Sequence, residues 1–175
     1  SAGRRDDGGL EIADIYDAVM AALKRYPDEI DPDNLNLSGW SGGGGNAFQA
    51  LSRIVGVFRS VQIFYGICDY GFLAASTPDW HRQIAANVGA PETERLKYFL
   101  RNAANFVTNH RFSTVHLFWD ESETICPREM NHCYLQAAAA AGLDRVRSFE
   151  SREGDEGRWF HGNERRGDLA EAIYE

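Results

Sequence analysis

The chain has 175 residues, with 26 acidic against 18 basic side chains and a formal net charge of −8. That length suits one domain with a sizeable core, and 43% hydrophobic with 25% charged residues excludes a disordered tail. A net negative surface opposes non-specific binding of nucleic acid, and no apolar run approaches the roughly 20 residues that span a bilayer.

Residues 1–9 (SAGRRDDGG) lack an apolar core, so they read as a frayed, disordered terminus and not as a signal peptide. Residues 10–26 place Ile12, Ile15, Tyr16, Val19, Leu23 and Tyr26 at helical spacing, and Pro27 stops that helix. The segment 28–46 is rich in Asp, Asn, Pro and Gly and reads as one long loop, with Gly42 to Gly45 as a flexible linker. From Ala47 to Tyr65, the positions Phe48, Leu51, Ile54, Val55, Phe58 and Val61 predict a core helix. Gly66 and Gly71 interrupt the next apolar stretch, predicting a broken helix or a tight bend. Thr77-Pro78 then opens a helix that ends near Gly89. Residues 91–108 predict another helix, and Pro127 opens an alanine-rich one that ends at Gly142.

Phe112 to Trp119 is β-rich in composition and reads either as a strand or as a helix continuation. Residues 145–150 and 158–161 flank a polar turn and read as a hairpin. Residues 168–174 close the chain as a short helix. With no alternation of strands and helices, a doubly wound fold is not expected. The expected fold is mainly α: a single helical domain over residues 10–175, with five to six helices and a small β-hairpin within 112–161.

Chemistry-bearing patterns are sparse. The glycine run lacks the Lys-Ser/Thr that a phosphate loop requires. Cys126 and Cys133 stand seven apart around His132 with no second Cys pair, so zinc is not expected. Glu129 and His132 form one half of a di-iron pattern that has no second copy. Cys68, beside Asp69, reads as core. Three cysteines make a poor disulfide framework and fit a reducing compartment, so a cytoplasmic protein is expected. Trp40 and Trp159 sit in polar loops, either as lids over the core or as anchors for a partner. No HExxH, G-x-S-x-G or EF-hand pattern is read in the chain, and no cofactor is expected.

Three pieces within residues 47–108 bear a likeness to a known group: RIVGVFRSVQIFYG, ICDYGFLAAS and WHRQIAANVGAPETERLKYFLRNAANFV. Together with Gly71-Phe72, Val88-Gly89-Ala90 and the closing LAEAIYE, they resemble a bacterial family of helical domains that includes acidic DNA-mimic proteins. Cys68, Asp69 and Tyr70 stand where that family has Asn, Asn and Gly, and residues 110–166 read as an insertion. The resemblance implies an all-helical, non-catalytic protein able to form a homodimer. Its carboxylates would imitate DNA phosphates toward a basic partner such as a DNA-binding protein, without touching nucleic acid or membrane itself.

The carboxylates available for that role are Asp28, Glu29, Asp31 and Asp33; Asp120, Glu121 and Glu123; and Glu150, Glu153, Asp155 and Glu156. Two alternatives stand beside it. One is an enzyme centred on Cys and His near 116–133, and the other is a toxin-neutralising accessory protein.

Overall fold

In a computed structural model, which describes residues 5–152, the chain builds a parallel sheet with helical crossovers. In chain order the elements are α1 (Glu11–Arg25), a 3-10 turn (Pro32–Asn34), β1 (Asn36–Trp40), α2 (Gly42–Arg53) and β2 (Ser60–Phe64). They continue with α3 (Tyr70–Ser76), α4 (Pro78–Val88), α5 (Arg95–Phe99), a 3-10 stretch (Ala103–Phe112), β3 (Thr114–Asp120), α6 (Arg128–Ala140) and β4 (Val146–Ser151). Among the described residues the sheet has four strands in the order β1-β2-β3-β4, every pair parallel.

This overturns the mainly helical expectation. Strands and helices do alternate, because each parallel neighbour needs a crossover, and α2, α3 to α5, and α6 supply the three. β1 lies inside the segment read as a loop, and the four glycines form the first turn of α2. The periodic run 47–65 divides into the end of α2 and all of β2, with Gly56 at φ +76° turning the chain between them. Val61 and Ile63 obey a period of two, and Phe58, Val61 and Tyr65 also fit a helix, so that short run satisfies both periods. β4 is a strand as expected, yet it pairs parallel to β3 and is no hairpin arm; the second arm and the closing helix lie outside the described residues.

Several helix boundaries agree with the sequence. The Thr77 side chain accepts from the Trp80 amide with Pro78 at the first helical position, and Gly89 takes φ +101° after Val88. Gly142 likewise follows α6 with φ +70°. The predicted helix 91–108 is instead the short α5 and the start of the 3-10 stretch, with Phe106 non-helical inside it.

The register sorts side chains by face. Leu37, Val61, Val115 and Val146 lie in one row, and Gly39, Ile63 and Leu117 in the next. α2 packs on this face, and Phe48 reaches across to Tyr134 of α6 with ring centroids 4.9 Å apart. The opposite face carries a ladder of stacked rings, Trp40, Phe64, Phe118 and Phe149, at 4.9, 4.5 and 4.8 Å. Such cross-strand aromatic pairs hold the register of neighbouring strands.

Residues 5–9, expected to be frayed, are anchored. The Asp6 carboxylate accepts from the amides of Gly9 and Leu10 at the start of α1, and the buried Arg101 donates to the carbonyls of Asp6 and Asp7. No helix among the described residues is long and apolar enough to cross a membrane.

Candidate active site

β1 ends at Trp40 and α2 begins at Gly42, leaving a single residue, Ser41, for the reversal. Ser41 adopts φ 53° and ψ −119°, a conformation that costs a non-glycine residue about 1–3 kcal/mol and persists only where surrounding structure enforces it. Two hydrogen bonds enforce it here. The Ser41 amide donates to the Phe64 carbonyl at 2.8 Å, and the Ser41 carbonyl accepts from the Gly45 amide at 3.0 Å.

Glycine is needed around this turn for space. A Cβ on Gly39 would collide with the Gly43 carbonyl, and one on Gly44 would come within 2.8 Å of the Gly66 Cα. The strand and the helix therefore approach backbone to backbone, which lifts Ser41 onto the tip of the turn. The pattern Gly39-Trp40-Ser41-Gly42-Gly43 is G-x-S-x-G, the sharp strand-to-helix turn that presents a nucleophilic serine. This corrects the expectation that the chain holds no such pattern: it stands in the sequence, and assigning 28–46 to one loop hides it.

The first amides of α2 have no intrahelical partner, and the helix dipole adds positive potential at the same end. The Gly42 N–H, next after the serine, is placed to donate to an oxyanion formed there.

Because the strands are parallel, their C-terminal ends gather beside Ser41, and the turn after β3 supplies acidic groups. Asp120 is fully buried and is used within the fold: Oδ1 accepts from the Ser122 amide and hydroxyl, and Oδ2 accepts from the Ser151 hydroxyl at 2.7 Å. It ties the end of β3 to the end of β4. Glu123 is also buried, and its Oε1 accepts from the amides of Ile125 at 2.7 Å and Cys126 at 3.0 Å. Two backbone donors fix the direction of that carboxylate. Burial, together with the Glu123 charge, pushes the neighbouring Cys126 thiol up to about 12, with the Ser41 side chain acting against that shift.

The predicted acidic clusters are not brought together. Asp28, Glu29, Asp31 and Asp33 are exposed between α1 and β1, at the N-terminal ends of the strands, where the Asp31 carboxylate caps the 3-10 turn. Asp120, Glu121 and Glu123 stand at the C-terminal end of β3, a strand length away, and only Glu121 of the three is exposed. Glu150 accepts from the Trp119 indole, while Glu153, Asp155 and Glu156 lie outside the described residues.

The Cys/His group near 116–133 is also dispersed. His116 lies on the ring-bearing face near Phe118 and Phe149, His132 lies against Trp119, and Cys133 is exposed on α6. Among the described residues, no group of three or more His, Cys, Asp or Glu could hold a metal ion.

The sequence profile of the prolyl oligopeptidase family matches residues 1–123. The chain belongs to that family. This replaces the resemblance to DNA-mimic proteins, and with it the reading of a non-catalytic helical protein. Similar solved structures include a puromycin-hydrolyzing peptidase of Mycobacterium tuberculosis, with 20% identity, a TM-score of 0.78 and 97% of this chain against 25% of that one. They also include the acylaminoacyl peptidase of Pyrococcus horikoshii, at 18%, 0.75, 93% and 25% in the same order. Dipeptidyl peptidase 4 of Porphyromonas gingivalis follows at 15%, 0.74, 99% and 23%. At these identities the likeness concerns the fold, and the chain spans about a quarter of the length of these structures. No curated protein matches the chain.

Proposed function

We propose that this chain carries the catalytic serine of a peptidase, with Ser41 as the nucleophile for an amide carbonyl. The observation that carries the reading is the enforced backbone of Ser41 at the tip of a G-x-S-x-G turn, in a chain of the prolyl oligopeptidase family. A strained turn that presents one hydroxyl at a helix N-terminus has a chemical use and no packing use.

The reaction needs a base and an orienting acid. In this architecture the groups follow in the chain order serine, acid, histidine. Glu123 fits the acid, its carboxylate being held by the amides of Ile125 and Cys126 in the turn after β3, whereas Asp120 is occupied in joining β3 to β4. His161 is the histidine that follows β4 in the sequence, and we assign it the base.

Ser41 Oγ would attack the carbonyl carbon as its proton passes to His161, and the Gly42 N–H would stabilise the developing oxyanion. His161 would then return the proton to the departing amine, leaving an acyl-Ser41 ester that water hydrolyses through the same base. Glu123 would orient the imidazole and stabilise its cationic form. The structural neighbours are named as a puromycin-hydrolyzing peptidase, an acylaminoacyl peptidase and a dipeptidyl peptidase. Amino-acid amides with free or acylated α-amino groups are therefore the substrates to try first. Three unpaired cysteines favour a reducing, cytoplasmic setting for this activity.

The test is labelling by a fluorophosphonate, which traps activated serines. The expected result is one adduct at Ser41, abolished in S41A and strongly slowed in H161A. Unlabelled wild-type protein of intact fold would overturn the reading.

A further inference from the structure

Among the described residues, three that are not glycine take a positive φ: Asp7 at 47°, Ser41 at 53° and Tyr65 at 50°. Ser41 and Tyr65 follow the C-terminal ends of β1 and β2, whereas Asp7 lies ahead of α1 and has no role in the proposed reaction. Its conformation is enforced from three sides. The Asp7 amide donates to Glu11 Oε1 at 3.1 Å, its carbonyl accepts from Arg101 Nε at 3.1 Å, and its Oδ2 accepts from Asn87 Nδ2 at 2.9 Å. Strain that several groups sustain at once points to a side chain placed for use.

That side chain is a carboxylate largely withdrawn from water, since Asp7 is 5% exposed. It lines a cleft of about 270 Å³ between the segment before α1, α3 and α4, together with Arg5, Tyr70, Leu73, Trp80 and Asn87. Sites that enclose a drug-sized molecule run from roughly 300 to 1,000 Å³, so this cleft suits a single side chain. A buried carboxylate is costly unless a cation offsets it. Here the cation is Arg5, whose Nε donates to Asp7 Oδ1 at 2.6 Å. The Arg5 side chain is nevertheless 69% exposed, and it gives the carboxylate one N–H of a five-donor fork. Such an arginine is held loosely, because water screens the pair and the long side chain loses freedom in it.

We propose that this cleft is a guanidinium-binding site. Arg5 fills it from within, and the arginine side chain of another molecule enters when Arg5 swings out. A guanidinium fits these walls because it is planar and weakly hydrated. One edge can bond Asp7 while a face lies against the rings of Tyr70 and Trp80. No covalent bond forms or breaks, and the site stands or falls independently of the Ser41 reading.

The test titrates ethylguanidinium into wild type, R5A and D7N of the full chain, with ethylammonium as the cation that lacks the planar fork. Binding is followed on the indole N–H signals of the four tryptophans, and W80F identifies the signal of Trp80. R5A, freed of the internal competitor, is expected to bind ethylguanidinium about two- to fivefold more tightly than wild type, the size of one exposed ion pair. The Trp80 signal should move while the other three stay in place. D7N should lose the binding, and ethylammonium should bind more weakly throughout. If D7N does not fold, A86F, which sets a ring at the exposed mouth of the cleft, is read in its stead.

An unmoved Trp80 signal in folded R5A would overturn the proposal. Binding that persists in D7N or A86F would do the same, as would equal affinity in R5A and wild type. Ethylammonium binding as tightly as ethylguanidinium would refute the choice of ligand.

Discussion

At Ser41, backbone strain and chemistry meet in one residue. The φ of 53° is sustained by the Phe64 carbonyl and the Gly45 amide, so the hydroxyl is held in place before any substrate arrives. Replacing it by alanine removes the proposed nucleophile and leaves the turn, so the proposed amide hydrolysis is expected to fall about 10⁴- to 10⁶-fold in S41A with little change in melting temperature. The two neighbouring carboxylates should separate in the same assay. E123Q keeps the shape and loses the charge that supports the imidazolium, so kcat should fall by about 10³- to 10⁴-fold. D120N should act mainly on stability, because a buried amide cannot accept from both the Ser122 and Ser151 donors as a carboxylate does. Urea unfolding and kinetics on the two variants check this division, and a purely structural effect of E123Q would exchange their roles.

At the scale of elements, the site is a consequence of how closely β1 and α2 approach. Gly39 faces the Gly43 carbonyl and the Ala47 Cβ, so any side chain there must push the helix away from the strand. G39A is expected to destabilise the protein by about 1–3 kcal/mol and to lose most labelling at Ser41. Chemical denaturation with a fluorophosphonate assay would show both effects. This element pair was partly legible in the sequence, since glycines spaced around a serine name the turn. It was obscured because Gly42 to Gly45 have the composition of a linker, and because β1, with Asn36, Ser38 and Gly39 among its five residues, has little strand character of its own. The strand exists because Phe64 and its neighbours in β2 pair with it and because Leu37 and Trp40 gain cover on either face.

Across the whole molecule, one buried histidine joins three elements and sets an acid limit. His110, 1% exposed in the 3-10 stretch, has Nε2 at 3.0 Å from Ser52 Oγ on α2 and Nδ1 at 2.7 Å from the Tyr134 hydroxyl on α6. Ser52 already donates to the Phe48 carbonyl, so its oxygen accepts from Nε2–H, and Tyr134 donates to Nδ1. A second proton would displace the Tyr134 donor, and burial lowers the His110 pKa from 6.5 to about 4. The unfolded chain therefore binds the extra proton first as pH falls. The stability from this group is complete above pH 6.5 and drains away between there and about pH 4, by roughly 3 kcal/mol. Urea midpoints measured from pH 7 to 4 should fall in wild type and fall less steeply in H110Q. Equal slopes would show that His110 is not the group responsible.

The sequence by itself determined the strongly punctuated pieces: α1 before Pro27, α4 between Thr77-Pro78 and Gly89, and the end of α6 before Gly142. In each, capping or chain-breaking residues act within a few positions, so local chemistry suffices. It also contained the G-x-S-x-G turn, although the pattern takes its meaning from the strand before it and the helix after it. Tertiary structure decided the rest. Whether Ser60–Phe64 is a strand depends on β1 and β3 flanking it, whose paired residues lie 24 and 54 positions away in the chain. The two carboxylates at the end of β3 were likewise told apart only in space. Asp120 and Glu123 read as one acidic cluster, and folding sends the first to the Ser151 hydroxyl and anchors the second on the amides of Ile125 and Cys126. Side-chain identity sets what a residue can do, and the register of parallel strands sets which groups end beside one another.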